Sequence, residues 1–131
     1  MRYLVKGKTP SVNHLYGHSK FGSVYMKPEA KKIRAEIIEA VELQANGQGF
    51  NLIEWNGRLL KVTVTIFEDW YTKKHTVKKK DVANREKFLI DSIMLGLGLD
   101  DQFIWDHTMR KRVVDTESEY HSEVEIEYYK P

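Results

Sequence analysis

Apolar and polar positions alternate with two different periods along this chain, and the switch between them divides it into elements. Arg2 to Gly7 alternates, with Tyr3 and Val5 set against Arg2, Leu4 and Lys6, and predicts a first strand. Thr9 to Tyr16 predicts a loop, and Val24 to Met26 a short strand. From about Glu29 to Ala45 the period becomes helical. Ile33, Ile37 and Val41 fall at i, i+4 and i+8, Ala30, Ile38 and Ala45 lie beside them, and Pro28 suits the first turn. Asn46-Gly47-Gln48-Gly49 ends that helix, whose Lys27, Lys31, Lys32 and Arg34 read as a solvated face. Arg58 to Glu68 carries the strongest strand pattern, with Leu60, Val62, Val64 and Ile66 on one face and Lys61, Thr63, Thr65 and Phe67 on the other.

A second helical pattern follows the basic loop from Trp70 to Lys80. Val82, Leu89, Ile93 and Leu97 share one face, widened by Ile90 and Met94. Asp81 stands where an N-cap carboxylate accepts backbone N–H bonds, and Gly96 and Gly98 mark the far end. Phe103 to Val114 predicts a long strand and Glu123 to Tyr129 its antiparallel hairpin partner, joined by a turn over Thr116 to Ser122. Strands and helices in this order predict an α+β fold, a two-layer sandwich with two main helices on one face of a mixed β-sheet.

Composition narrows the class. At 131 residues, with 41% hydrophobic and 31% charged positions, the chain predicts one globular domain over residues 1–131. The absence of cysteine excludes disulfides and thiolate zinc sites and fits an intracellular, cytoplasmic setting. No stretch is long and apolar enough to predict a membrane span. The formal net charge of +2 does not by itself point to nucleic acid, so any such signal lies in local clustering.

The clustering is strongest from Lys78 to Asp101. Lys73, Lys74, His75, Lys78, Lys79 and Lys80 interleave with Trp70 and Tyr71 and lead into Asp81, a pattern that fits a surface tracking phosphates. On the second helix Asn84, Lys87 and Asp91 form a polar stripe bordered by Phe88 and Leu95 on one side and Ile90 and Met94 on the other, as in a partly enclosed groove. Asp100-Asp101 follows the helix. Carboxylates beside lysines suit a divalent cation and a phosphate chain. Taken one at a time these residues also have plain structural readings: a cap at Asp81, a turn at Asp100-Asp101, and an i, i+4 surface pair at Lys87 and Asp91.

Asp81-x-x-Asn84-x-x-Lys87-x-x-x-Asp91 followed by Asp100-Asp101 resembles the RusA-type Holliday-junction resolvases, which carry Asp-x-Asp-Asn-x-x-Lys-x-x-x-Asp and then an Asp-Asp pair. Pro10, Asn13 and Tyr16 resemble the family's Pro-x-x-Asn-x-x-Tyr after the first strand, and Lys111 falls where the family commonly has a basic residue. The resemblance implies a nuclease acting on four-way DNA junctions in recombination and repair, in a bacterial or phage-infected cell. It implies Asp81, Asp91, Asp100 and Asp101 around Mg²⁺, with Mn²⁺ able to substitute. Asp81, Lys87 and Asp101 would be catalytic. Asn13, Tyr16, Lys73, Lys74, Lys78, Lys79, Lys80, Asn84 and Lys111 would contact DNA.

A junction's two-fold symmetry fits a C2 homodimer, with Phe103, Trp105 and Tyr128 as candidate surface. The family's second aspartate falls on Ala83. Three explanations of Ala83 stand open: another acid substitutes, with Glu68 or Asp69 at the strand end nearest and Glu86 on the wrong helical face; the protein binds junctions without cutting well; or the residue is a deliberate change that traps an inactive form. His107 reads as a structural or exposed histidine. The competing classes are a nucleic-acid-binding module without catalysis and, last, a protein-only adaptor.

Overall fold

The computed structural model describes residues 1–8, 16–18, 20, 22, 24–78 and 82–131. Its centre is a four-stranded mixed sheet of β1 (Arg2–Lys6), β4 (Leu60–Glu68), β5 (Ile104–Val113) and β6 (His121–Tyr128), in the order β1-β6-β4-β5. A separate two-stranded ribbon pairs β2 (Tyr16–His18) with β3 (Val24–Met26), so a strand occupies the end of the segment expected to be a loop. Among the described residues three α-helices complete the fold: α1 (Pro28–Gly47), a single turn α2 (Leu52–Trp55) capped by Asn51, and α3 (Val82–Leu97). The α+β class holds, with α1 and α3 packed together over one face of the sheet.

The periodicities act as expected within each element. Along β4, Leu60, Val62, Val64 and Ile66 are fully buried, while the alternate residues are half-buried on the uncovered face. The helices supply Ile37, Val41, Phe88, Leu89 and Ile93 to the same core, and β1 and β6 supply Tyr3, Val124 and Ile126. Gly96 lies inside α3, where a Cβ would stand only 3.4 Å from Ile38 Cα; its small size lets α1 and α3 approach. Gly98 terminates α3 with φ +73°. Gly98 N–H donates to Leu95 O (3.2 Å) and Leu99 N–H to Met94 O (3.0 Å), the paired bonds of a Schellman cap.

The expected hairpin between the last two strands does not form. β5 runs parallel to β4 on one side, and β6 runs antiparallel to β4 on the other. Parallel pairing needs a crossover, and α3 is that crossover. Ser122, Val124 and Ile126 of β6 are fully buried, a burial that a central position between β1 and β4 provides and an edge does not. The connecting segment crosses the end of β4, where Val114 N–H donates to Glu68 O (3.1 Å).

β1 is an edge strand, and α1 closes that edge. Gln44 accepts from Leu4 N–H at 2.7 Å and donates to Leu4 O at 2.8 Å. Gln48 does the same for Arg2, at 3.2 and 2.8 Å. Each glutamine amide thus takes the place of a neighbouring strand's peptide group.

Candidate active site

The crossover β4–α3–β5 sets the site. α3 leans over β5, and the residues on its flank meet those at the start of β5 in a cleft of about 420 Å³ lined by Glu86, Lys87, Ile90, Asp91, Asp101, Ile104, Trp105 and His107. Asp91 and Asp101 also line a second depression with Asn56, Met94, Leu95, Leu99 and Asp100, so the two acids stand on the ridge between two hollows. Lys87 and Asp91 of the polar stripe thus border open hollows, with Phe88, Ile90 and Met94 buried and Leu95 exposed.

Asp101 reaches this place because the Schellman cap turns the chain at Gly98. Asp100 then organises a 3-10 turn over Asp101–Phe103. Its Oδ1 accepts from Gln102 N–H (3.0 Å) and its Oδ2 from Gln102 Nε2 (2.9 Å). Both oxygens of Asp100 are therefore engaged in the turn, which leaves Asp101 as the acid facing α3.

Burial pushes the Asp91 carboxyl above its ordinary value. Asp101 and Glu86 push it further, while Lys87 and Arg34 pull it back. Lys87 Nζ stands 4.0 Å from Asp91 Oδ2, an exposed pair worth at most a few tenths of a kcal/mol for stability. The lysine is thus on hand for another anion.

Three contributors were not legible in the sequence. Arg34, expected on a solvated face, is half-buried, lies 5.4 Å over the Phe88 ring and acts on Asp91. Glu86, expected on the wrong face of α3, is buried in the cleft. His107 Nε2 approaches Glu86 Oε1 to 2.7 Å, and this contact raises the histidine's pKa above its ordinary value. The contact is close without being an aligned hydrogen bond, for Glu86 Oε1 is among the buried oxygens that lack one. The i, i+4 wheel missed these because it says nothing of which strand stands beside the helix.

The acids expected to replace the one absent at Ala83 are occupied elsewhere. Glu68 is buried in an ion pair with Arg85. Asp69 accepts from Tyr71 N–H (3.1 Å), and its carbonyl takes Lys78 Nζ (2.8 Å). Trp70, expected on the phosphate-tracking surface, is core: it is buried, and its Nε1 donates to Arg112 O (2.9 Å). Arg85 and Lys111 lie against its ring, at 5.5 and 4.7 Å. The loop itself is a small hairpin closed by Tyr71 and Val77, with Lys73 and Lys74 exposed at its tip. Phe103 is half-buried, and Tyr128 is engaged within the chain by Trp55 (4.3 Å between ring centroids) and Arg58, leaving Trp105 as the exposed member of the expected dimer surface. Asn13, Lys79, Lys80 and Asp81 lie outside the described residues, as do the side chains of Tyr16, Ala83 and Asn84.

The donors suit a hard divalent cation, since every acid in the cleft offers oxygen and the mutual repulsion around Asp91 is what a cation relieves. Among the described residues no three acids or histidines already stand at mutual liganding separation.

A helix-borne acid and a strand-entry acid facing each other beside lysine and arginine, on an α+β sandwich, are the equipment of a phosphodiester-cleaving protein. The sequence family described as endodeoxyribonuclease RusA matches residues 7–127, and the chain belongs to that family. No curated protein matches it. The family implies an endonuclease that resolves Holliday junctions; it acts on branched DNA, and its members generally need a divalent metal. Among the described residues no helix is long and apolar enough to cross a membrane.

Proposed function

We propose that this chain is a metal-dependent, structure-specific endonuclease that binds and nicks four-way DNA junctions. The observation that carries this reading is the cleft in which Asp91 and Asp101 face each other with Lys87 at the rim. Asp81, Asp91 and Asp101 would hold Mg²⁺, or Mn²⁺ in its place, and Asp100 supports them by fixing the turn that presents Asp101. Bound there, a divalent ion supplies charge stabilisation on the phosphoryl oxygens and a nucleophilic hydroxide near neutral pH.

The side chains do the rest. The exposed Lys87 ammonium stabilises the departing 3′ oxygen, and its weak tie to Asp91 leaves it free to do so. Ile90, Ile104 and Trp105 wall the cleft. Lys73, Lys74 and Lys78, continued by Lys79 and Lys80, track the backbone, and Asn13, Tyr16, Asn84 and Lys111 add contacts. Two such sites on a C2 homodimer match the junction's symmetry, with the exposed Trp105 in the contact. Sedimentation with junction bound tests the dimer, and a monomer at micromolar concentration removes it.

Ala83 favours a second reading, a protein that binds junctions and cuts them poorly. Incubation with a synthetic four-way junction and Mg²⁺ or Mn²⁺ separates the two. Symmetric nicks abolished by Asp101→Asn support the enzyme. Binding without nicks, with nicking gained in Ala83→Asp, rejects it in favour of the second reading.

A further inference from the structure

We propose that His107 is a phosphate-binding residue of the cleft, set by Glu86 so that its second ring nitrogen meets a non-bridging oxygen of the bound DNA strand. The inference rests on the reading above, in which the cleft holds a strand of the junction, and adds to that site a residue outside the family's motif.

Strand register puts His107 there. β5 runs parallel to β4 with His107 opposite Val62, and Val62 is fully buried on the face that the helices cover. Laterally paired residues share a face, so His107 points towards α3. The helix meets it with Glu86, whose Oε1 stands 2.7 Å from Nε2. That nitrogen is taken by the carboxylate. The rest of the ring is not sealed in with it. The His107 side chain keeps 31% of its surface, against 9% for that of Glu86, and it lines the cleft with Lys87, Asp91, Asp101 and Trp105. Among the described residues nothing else bonds to the ring, so Nδ1 stays available.

A carboxylate beside Nε2 keeps a proton on that nitrogen and favours the doubly protonated ring. The contact with Glu86 raises the pKa of His107 above its ordinary value; burial opposes it, and Asp106 on the same strand adds to it. The imidazolium presents Nδ1–H as a donor, which the neutral ring with its proton on Nε2 does not. The other charged groups of the cleft are Lys87 and Asp91 from α3 and Asp101 from the turn before β5. Lys87 offers a positive charge on an exposed, flexible stem. His107 offers a donor whose direction is fixed by a partner, as phosphate positioning requires. A strut that only tied α3 to β5 gains nothing from leaving one ring nitrogen open to the cleft.

Proton linkage tests the assignment. NMR of the imidazole carbons follows the titration midpoint of His107 with and without a synthetic four-way junction. Ca²⁺ takes the place of Mg²⁺, since it too binds oxygen ligands. A phosphate on Nδ1 stabilises the charged ring, so the junction is expected to raise the midpoint. By the same linkage, junction affinity is expected to fall about tenfold as pH rises through it. His107→Gln removes that part of the fall, and Glu86→Gln, which lowers the midpoint, moves it to lower pH. His75 on the basic hairpin is common to parent and variants, so its contribution leaves the difference unchanged. His121, paired with Phe67 on the uncovered face, reports the general field of the DNA. A His107 midpoint that stays still or rises no more than that of His121 overturns the proposal, as does an equal pH dependence in parent and His107→Gln. Should His107→Gln fail to fold, the midpoints in the unaltered protein decide. Nicking in Mg²⁺ or Mn²⁺ is scored separately. Nicks with an unmoved midpoint leave the enzyme standing without His107. A raised midpoint without nicks keeps His107 as a phosphate contact in a protein that only binds junctions.

Discussion

Arg85 and Glu68 form a buried ion pair between the first turns of α3 and the end of β4, next to the Trp70 ring. Burial lowers the Arg85 pKa from its ordinary value, and Glu68 Oε1 is left without a hydrogen bond. The pair is therefore a costly device for pinning the helix start to the sheet, and its value lies in keeping both members. Arg85→Met leaves Glu68 buried and unpaired, and is expected to cost about 3–5 kcal/mol in urea unfolding. The double variant Arg85→Met/Glu68→Leu removes the stranded charge and is expected to recover most of that loss. Equal instability in single and double variants would show that the guanidinium matters through packing. Glu68 is instructive about what residues disclose in sequence. As an acid at a strand end it reads as a free ligand, yet its partner stands 17 positions away and nothing local marks it. Glu86 errs in the opposite direction. A wheel assigns it by angle to the wrong side of α3, whereas the edge strand comes up on that flank and brings His107 to meet it.

Elements were legible to the extent that their periods are intrinsic. β4 and α3 fall where alternation and 3.6-residue repeats put them, because one buried face suffices to define each. Pairing was not legible. Glu123, Glu125 and Glu127 give β6 the look of an outer hairpin strand, but they point to the uncovered side of the sheet while Ser122, Val124 and Ile126 fill its middle. Which strands flank β6 is decided by where α3 carries the chain, a long-range fact. The closing of β1 by Gln44 and Gln48 is of the same kind, since neither glutamine announces a backbone partner 40 or 46 positions away. Without those amides the outer groups of Arg2 and Leu4 form an open edge. Gln44→Ala with Gln48→Ala is expected to cost roughly 1–3 kcal/mol for the lost bonds. It is also expected to raise self-association measured by light scattering at high protein concentration. A variant that melts lower yet stays as dispersed as the parent would limit the glutamines to stability.

Charge at the scale of the whole molecule is close to balanced, at a formal +2, so DNA cannot be held by a general positive field. The uncovered sheet face carries Glu123, Glu125 and Glu127 opposite Thr65, Thr63 and Lys61, and is a poor surface for a phosphate chain. Cations are instead gathered at the hairpin between β4 and α3, where Lys73 and Lys74 stand exposed at the tip and Lys78 is fastened to Asp69. Phosphate contact at that tip releases counterions, so each lysine that makes one steepens the fall of affinity with salt by about 0.9 in the log–log slope. Lys73→Glu/Lys74→Glu is therefore expected to weaken four-way-junction binding most at low salt and to flatten the slope by about two, while Lys31→Glu/Lys32→Glu, on the solvated side of α1, leaves the slope as it was. Fluorescence anisotropy over a salt series measures both. Equal flattening by the two pairs would mean that the molecule attracts DNA through its overall charge. A flattening confined to the hairpin pair places the DNA path beside the entry to α3, at the end of the sheet where β4 and β5 finish.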